Sequence, residues 1–336
     1  MQIQENILLT PFNTFGIAAR ARWFARFSDI DTLTSLVNTH PTVPPLVLGG
    51  GSNILFTGNF GGLILKNELK GIEVVKEDAD FVYVKCGAGE NWHQFVLYCI
   101  ERNLGGVENL SLIPGNMGAS PMQNIGAYGV EIKDVFHSLE AFHLHDENVV
   151  TFFNKDCDFG YRESVFKRRY KGEFVILTVT CKLRKQPVFN TSYGAITQEL
   201  EKAGVQTLSV KAISDAVISI RRSKLPDPAI IGNAGSFFKN PLVTAAQFAA
   251  LKEKYPAIIG YPDSNGYVKL AAGWLIEQCG WKGYRRGDAG CHALQALVLV
   301  NYGNASGEEI LALSTDIMRS VQEKFNVPLE REVNIV

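Results

Sequence analysis

Three glycine-rich segments of the chain contain the residue types best suited to chemistry. They are GGGSN at 49–53, PGNMGASPMQNIGAYG at 114–129 and GNAGSFFKNP at 232–241. Backbone N–H groups in glycine loops suit phosphate oxygens, and uncharged side-chain amides can recognise the edge of a flat heterocycle. In the third segment Ser236 follows small residues that let a ligand approach the backbone closely. This segment alone leaves two interpretations of Ser236 open, a turn residue or a catalytic one.

The glycine segments do not match the common phosphate-binding motifs. GGGSN lies between two predicted strands, and no Gly-Lys-Ser/Thr follows it, so it is not a P-loop. A strand, a Gly-x-Gly and a helix do occur at 87–89, but Trp92 stands where the dinucleotide fingerprint needs glycine. A plain tight turn remains an alternative for GGGSN. Two such loops without a nicotinamide fingerprint favour a flavin nucleotide.

The composition of the 336-residue chain indicates a globular protein of two or three domains. Its net charge of −1 gives no field that would attract nucleic acid or an anionic membrane, so local positive groups must hold an anionic ligand. The N-terminus lacks a secretory signal, and no apolar run reaches the roughly 20 residues that span a bilayer. The six cysteines stand singly, which favours reduced thiols over disulfides or a zinc site. We therefore expect a cytoplasmic protein with no metal, nucleic-acid or membrane partner.

The helices that must position these segments are predicted from apolar periodicity. One of them is amphipathic and buries four residues at helical spacing, Trp92, Phe95, Val96 and Cys99. A capping box of Ser306 and Glu309 predicts the start of the last helix. The other predicted helices cover residues 28–38, 209–222, 244–254 and 270–279, and the last one covers 307–324.

Strands are predicted between these helices, which makes the fold class α+β. They cover residues 45–48, 54–56, 61–66, 81–86, 138–145, 149–153, 173–183, 296–301 and 327–335. In the terminal strand Val333 and Ile335 share one face, and Glu332 lies on the opposite, polar face. The sequence Lys-Leu-Pro-Asp-Pro at 224–228 is a stiff turn.

Seven motifs in order give the chain a family resemblance. They are GGGSNILF (49–56), NIGAYGVE (124–131), FGYRESVFK (159–167), SKLPDP (223–228), GNAGSFFKNP (232–241), KLAAGWLIEQCG (269–280) and FNVPLEREV (325–333). Together they resemble the UDP-N-acetylenolpyruvoylglucosamine reductase family in its longer, type I form, which carries the GYRxS segment. The resemblance runs from Asn13 to Val333.

This resemblance implies the vanillyl-alcohol-oxidase/PCMH-type FAD-binding fold, with two α+β subdomains and a C-terminal α+β substrate-binding domain. The implied boundaries are 1–70 and 71–205 for the flavin subdomains, 206–326 for the substrate domain, and 327–336 for a strand that returns to the active site. The implied cofactor is non-covalent FAD, and NADPH is the co-substrate. The matched flavin positions are Gly49, Gly50, Gly51, Ser52, Asn53, Pro114, Gly115, Gly118, Ala119, Gln123, Asn124, Gly126 and Tyr128.

The family's reaction implies roles for three matched residues. NADPH reduces the flavin, and hydride then passes from flavin N5 to C3 of the enolpyruvyl group of UDP-N-acetylglucosamine enolpyruvate, which leaves an enolate to be protonated at C2. Arg162 is implied to grip the substrate carboxylate with its planar fork. Glu332, in its protonated form, is implied to polarise that carboxylate or orient the donor. Ser236 is implied to deliver the proton.

The resemblance also implies a site for the UDP-sugar. Its matched residues are Tyr193, Arg221, Lys224, Asn240, Tyr261 and Gln295. Arg221 and Lys224 stand three apart near the end of a helix, so both could reach one pyrophosphate. We expect small-molecule partners only, and a monomer. The sequence shows no motif that would recognise the ribose of the nicotinamide cofactor, so it does not distinguish NADPH from NADH.

Two rival functions remain open from the sequence. One is an FAD oxidoreductase of the same fold that acts on an alcohol or an unphosphorylated sugar; such enzymes often tether the flavin through His or Cys. The other is a non-catalytic nucleotide-binding module. His143 and His145 could form half of a metal site, but a solvated strand face is the preferred interpretation, and His93 and His292 are predicted to be structural.

Overall fold

The computed structural model describes residues 2–39, 45–263 and 266–336, which form two compact units. Unit 1 comprises the described residues of Met1–Ile7, Ala21–Gly50 and Gly61–Ser223. Unit 2 comprises Leu8–Arg20, Gly51–Phe60 and the described residues of Lys224–Val336.

The helices and strands follow the chain in this order. The helices are α1 (Ile30–Thr39), α2 (Trp92–Glu101), α3 (Gly194–Lys202), α4 (Val210–Lys224), α5 (Ala245–Lys254), α6 (Ala272–Gln278) and α7 (Gly307–Phe325). The strands are β1 (Gln4–Leu8), β2 (Arg20–Phe27), β3 (Leu46–Leu48), β4 (Ile54–Leu55), β5 (Phe60–Asn67), β6 (Ile72–Glu77), β7 (Phe81–Gly87), β8 (Gly126–Ala127), β9 (Val130–Glu131), β10 (Phe136–His143), β11 (Val149–Phe153), β12 (Phe174–Arg184), β13 (Gly232–Ser236), β14 (Leu242–Thr244), β15 (Gly260–Pro262), β16 (Tyr267–Leu270), β17 (Arg285–Arg286), β18 (Ala289–Cys291), β19 (Val298–Asn301) and β20 (Asn334–Ile335).

Unit 1 is built on a five-stranded antiparallel sheet in the order β11-β10-β12-β7-β6. The amphipathic helix α2 buries its four predicted core residues in the cluster formed with this sheet. Its first turn is capped by Asn91, whose side chain accepts a hydrogen bond from the Gln94 N–H at 3.0 Å. Burying a side chain such as Phe95 contributes roughly 1.5–3 kcal/mol, so the helix holds the adjacent glycine loops on a rigid support.

A second sheet of unit 1 has the order β1-β2-β5-β3. Strands β3 and β5 are parallel, with Leu46 paired to Ile64, and such a pairing requires a crossover connection. Leu33 and Leu36 of α1 are fully buried in a hydrophobic cluster that also contains Phe27 of this sheet. The loop at 49–50 therefore leaves β3 from a fixed position.

Unit 2 contains a four-stranded sheet, β13-β19-β18-β17, and a three-stranded sheet, β14-β16-β15. Strand β20 pairs in parallel with β4. The predicted capping box of α7 is confirmed, because Ser306 Oγ accepts from the Glu309 N–H at 3.2 Å and Glu309 Oε2 accepts from the Ser306 N–H at 2.7 Å.

Most predicted elements are confirmed with ends within two residues, but the terminal strand is not. Only Asn334–Ile335 is regular strand there, and Ile335 is 38% exposed, so the predicted apolar face ends at Val333. The helix predicted from Leu270 begins at Ala272, because Leu270 is the last residue of β16. Helix α3 and strands β1, β2, β6, β8, β9 and β13 to β18 were not predicted. The four domain boundaries stay a prediction.

Candidate active site

In unit 1 the loops at 49–50 and 115–116 pack directly against each other. A Cβ atom added to Gly50 would lie 2.8 Å from Gly115 Cα and 2.9 Å from Asn116 Oδ1. Real Cβ atoms do not approach other atoms so closely, so glycine at position 50 is what allows the two loops to meet. Two of the segments that the sequence singled out are thus brought together.

The stretch that follows Gly115 is tied to the residues just before and within α2. The N–H of Trp92 donates to Gly115 O at 3.0 Å, and the N–H of Met117 donates to Glu90 O at 2.8 Å. Gly118 donates to Ala88 O at 2.9 Å, where an added Cβ would lie 2.7 Å from the methyl group of Ala88. The Gly-x-Gly at 87–89, a weak signal in the sequence, therefore serves as the support of the loop at 115–118.

Arg162 is held against the loop at 122–131. Its Nη2 donates to Gly126 O at 2.6 Å, and the nearby Ser164 Oγ donates to Met122 O at 2.6 Å. Arg162 has a φ of +55°, in the left-handed region that a side chain rarely adopts. Such a conformation persists only where the surroundings fix it, and these bonds supply that constraint.

Asn124 joins the same two segments from inside the fold. Its Nδ2 donates to Gly160 O at 2.9 Å and to Glu131 Oε2 at 3.0 Å, while its Oδ1 accepts from the Lys133 N–H at 3.2 Å. The side chain is fully buried, so its amide is used within unit 1. Its place in the proposed site is to shape the loop that carries Gly126.

Tyr128, Tyr193 and Arg221 form a cluster in unit 1. The two tyrosine rings meet edge to face, with centroids 5.1 Å apart. Burial raises the pKa of the Tyr128 phenol, and the positive charge of Arg221 opposes this shift. Burial also lowers the pKa of the Arg221 guanidinium, and the positive charge of Arg162 lowers it further. Two guanidinium groups in one partly buried region suit an anionic ligand.

In unit 2 the turn before Ser236 is fixed by Asn233. The side chain of Asn233 donates to Ile231 O at 2.8 Å and accepts from the Gly235 N–H at 3.0 Å. Gly235 has a φ of +70°, which glycine adopts without strain. Ser236 follows as the last residue of β13, half-buried and paired with Val298.

The strand segment after Ser236 lies antiparallel to the segment that contains Glu332. The Glu332 N–H donates to Phe237 O at 2.8 Å, and the Lys239 N–H donates to Glu330 O at 2.9 Å. A salt bridge of 2.6 Å joins Lys239 Nζ to Glu330 Oε1, with the lysine side chain almost entirely buried. The structure therefore places the segments of Ser236 and Glu332 side by side in unit 2.

Comparison with known proteins supplies the family. Residues 25–152 match the model of an FAD binding domain, and residues 227–336 match that of the UDP-N-acetylenolpyruvoylglucosamine reductase C-terminal domain. The UDP-N-acetylenolpyruvoylglucosamine reductase of Amoebophilus asiaticus is 52% identical over 338 residues, and that of Flavobacterium johnsoniae is 49% identical over 337 residues. Each alignment covers 100% of both chains.

The chain belongs to the UDP-N-acetylenolpyruvoylglucosamine reductase family. The predicted resemblance is confirmed, and so is the prediction of an enzyme, because this is a family of flavin-dependent oxidoreductases.

Solved structures confirm the predicted fold class. The reductase of this family from Thermus caldophilus superposes with a TM-score of 0.68 at 23% identity, covering 100% of this chain and 99% of that one. A vanillyl-alcohol-oxidase-type flavoprotein from Myceliophthora thermophila C1 gives a TM-score of 0.50 at 13% identity, covering 95% and 73%. At such identities these likenesses concern the fold alone.

The remaining residues matched to the reductase family are scattered over unit 2. Asn240 Oδ1 accepts from the Ala272 N–H at 3.0 Å, and Gln295 Oε1 accepts from the Leu297 N–H at 3.2 Å. Tyr261 lies on β15 and is 50% exposed, and Lys224 is exposed at the end of α4.

Asn53 of the GGGSN segment makes hydrogen bonds that the sequence did not predict. Within unit 2 its Nδ2 donates to Glu332 O at 3.3 Å, and its own carbonyl accepts from Asn334 Nδ2 at 2.8 Å. The residue therefore holds the terminal segment in place. The signal was absent from the sequence because the partners are 279 and 281 positions away.

Two structural features are absent from the described ranges. Across residues 2–39, 45–263 and 266–336, no group of three or more His, Cys, Asp or Glu side chains could hold a metal ion. No helix in that part of the chain is both long and apolar enough to cross a bilayer. All six cysteines are free thiols.

Proposed function

We propose that this protein reduces UDP-N-acetylglucosamine enolpyruvate to UDP-N-acetylmuramate with NADPH as the electron source, in the synthesis of the peptidoglycan precursor. Membership of the reductase family supports the substrate, and the match to an FAD binding domain supports the cofactor. The structural observation that carries the proposal is the backbone pairing beside Ser236, in which the Glu332 N–H donates a hydrogen bond to Phe237 O.

The glycine loops of unit 1 suit a flavin nucleotide. The loops at 49–50 and 115–116 meet through their glycines, and the amides of Gly50, Gly115 and Asn116 have no acceptor among the residues described. Uncharged N–H groups of this kind suit a pyrophosphate. Gly51, Ser52, Asn53, Pro114, Gly118, Ala119, Gln123, Asn124, Gly126 and Tyr128 complete the proposed set. When bound and reduced by NADPH, the flavin would supply the hydride that C3 of the enolpyruvyl group accepts.

Three side chains handle the charge and the proton. Arg162 binds the substrate carboxylate, where negative charge grows as C3 is reduced, because its planar guanidinium suits bidentate binding of a carboxylate. Ser236 donates its proton to C2. Glu332, in its protonated form, polarises the same carboxylate. A hydroxyl is a weak acid in water, so the donation requires a strongly basic enolate and a dry site.

Further side chains bind the UDP-sugar in this proposal. Arg221 and Lys224 of α4 bind the pyrophosphate, and Tyr193 and Tyr261 supply phenol groups or flat faces for phosphate or uracil. Asn240 and Gln295 supply amides. The charge of unit 1 supports the first assignment, because Arg162 and Arg221 form a local positive region in a chain of net charge −1.

The absorption spectrum of the purified protein tests the function. We expect flavin bands that NADPH bleaches and that the enolpyruvyl UDP-sugar restores under anaerobic conditions. The matched control is UDP-N-acetylglucosamine, which lacks the double bond and should restore nothing. Bleaching without restoration by the enolpyruvyl compound would contradict the proposal, and a protein without flavin bands would favour a non-catalytic nucleotide-binding module.

A further inference from the structure

Helix α2 holds Leu112 through the side chain of His93. The Leu112 N–H donates to His93 Nδ1 at 3.0 Å, and one residue earlier on the helix Trp92 Nε1 donates to Leu110 O at 2.9 Å. Leu112 has a φ of +59°, a left-handed conformation that a leucine does not adopt without constraint. These two bonds from α2 supply part of that constraint.

Helix α4 holds the other side of the same short segment. The Leu112 carbonyl accepts from Arg221 Nε at 3.3 Å, and Ser111 Oγ lies 2.8 Å from Ser214 Oγ in a fully buried contact. The guanidinium of Arg221 also interacts electrostatically with the Tyr128 phenol. A continuous chain of bonds therefore runs from His93 through the backbone of Leu112 to the Arg221 guanidinium.

We propose that His93 is a positioning residue, which fixes the Arg221 guanidinium for the diphosphate of a nucleotide sugar by holding Leu112 in its left-handed conformation. The proposal rests on the proposed function, in which Arg221 binds that diphosphate. A guanidinium with its Nε fixed by a carbonyl keeps its two terminal nitrogens for the anion. If Leu112 relaxed, its carbonyl would turn away, and Arg221 would lose the anchor that sets its direction.

The bond to Leu112 requires an unprotonated Nδ1, since the backbone N–H is the donor. Burial lowers the pKa of His93, and the positive charges of Arg222 and Arg221 lower it further. The imidazole is therefore neutral at pH 7 and keeps its acceptor. Protonation in acid would turn Nδ1 into a donor that faces another donor, and it would add a third positive charge beside the two arginines.

Two isosteric variants separate positioning from mere packing. His93→Asn places an amide oxygen where Nδ1 stands, whereas His93→Gln places its amide one bond farther out. We would titrate oxidised protein with UDP, and separately with the enolpyruvyl UDP-sugar without NADPH, and follow the flavin absorbance. We expect about tenfold weaker binding for His93→Gln, the effect of one unmet buried hydrogen bond, and binding within about twofold of wild type for His93→Asn.

The pH profile gives a readout that packing alone does not move. Between pH 7.5 and pH 5.5 the affinity of the wild type for UDP should fall relative to that of His93→Asn, which has no group that protonates there. His145→Asn is the control, because it removes an exposed imidazole of unit 1 that lies outside the segment 110–112. It should leave UDP binding and its pH dependence unchanged.

Wild-type UDP affinity in His93→Gln would overturn the proposal, and so would an equal loss in His93→Asn and His93→Gln. A misfolded His93→Gln would show itself as lost flavin absorbance, and the pH comparison between the wild type and His93→Asn still decides the question in that case. Failure of the proposed function looks different. The wild type would then bind UDP but fail to turn over the enolpyruvyl UDP-sugar with NADPH.

Discussion

Ser236 illustrates how a residue of ordinary type acquires a special position. The glycine before it has a left-handed backbone, and Asn233 braces that turn with bonds on both sides. The next residue, Phe237, accepts the backbone bond of Glu332. The backbone around Ser236 therefore fixes the position from which its hydroxyl would donate a proton in the proposed function.

Ser236→Ala should separate the two halves of the reaction. We expect bleaching by NADPH at a normal rate, while restoration of the flavin bands by substrate slows by about 10²–10⁴-fold, the usual effect of losing a general acid. Stopped-flow absorbance measures both rates. Ser236→Cys should recover part of the second rate because a thiol can also donate. Equal damage to both halves would remove Ser236 from the role of proton donor.

Arg162→Lys tests whether the geometry of the fork matters. The lysine keeps the positive charge but offers one compact ammonium group in place of the planar donor set. We expect kcat/KM to fall by about 10²-fold, since two charge-assisted hydrogen bonds are lost, with the flavin absorbance unchanged. Arg162→Ala should be worse still in steady-state assays. Wild-type turnover of the lysine variant would show that charge alone suffices.

At the scale of elements, glycine 50 shows why a loop can depend on the absence of a side chain. Gly50→Ala would place a methyl group 2.8 Å from Gly115 Cα, so the loops at 49–50 and 115–116 must separate. We expect a loss of about 1–3 kcal/mol in the free energy of unfolding and weaker retention of FAD in gel filtration. Gly61→Ala in β5 is the matched control, because its Cβ would meet nothing within 4 Å. Equal behaviour of the two variants would contradict the packing argument.

The elements that the sequence predicts well are those whose pattern is local. The spacing of Trp92, Phe95, Val96 and Cys99 predicts α2, and the alternation at 149–153 predicts β11 with its observed ends. The prediction of the terminal strand is wrong because this segment forms few backbone pairs. It meets the segment after Ser236 through the bridge Phe238–Arg331 and two flanking bonds, and only its last residues join a sheet.

The candidate site, like the fold, could be predicted only in part from the sequence. Family motifs predict which residue types act, but they do not predict which amides are used internally. Asn124 bonds Gly160 across 36 positions, and Asn53 bonds Glu332 across 279. His93 was predicted to be structural, since a lone histidine on a helix carries no sign that a left-handed leucine lies beside it. Such contacts depend on tertiary packing.

At the scale of the whole molecule, the electrostatics are local. The chain has a net charge of −1, so an anionic substrate meets no general attraction, and in the proposed function Arg162 and Arg221 would supply the local positive charge. The expectations of a cytoplasmic monomer stay predictions, and sedimentation velocity with and without the nucleotide sugar would test the second of them. A monomer should keep one sedimentation species across a tenfold range of concentration.

The proposed non-covalent attachment of the flavin would separate this enzyme from oxidoreductases that tether the cofactor. Neither 49–53 nor 114–129 contains His or Cys. Burial raises the pKa of the Cys157, Cys181 and Cys291 thiols to about 12, and it raises the pKa of the other three as well. A thiolate is the reactive form, so these cysteines are poor partners for a covalent bond at neutral pH.

We therefore expect acid precipitation to release intact FAD into the supernatant, where its absorbance should account for one flavin per chain. A flavoprotein with covalent flavin, treated alongside, should keep its colour in the pellet. Flavin retained by this chain would favour the alcohol- or sugar-oxidising rival and would oppose the reductase assignment of its glycine loops.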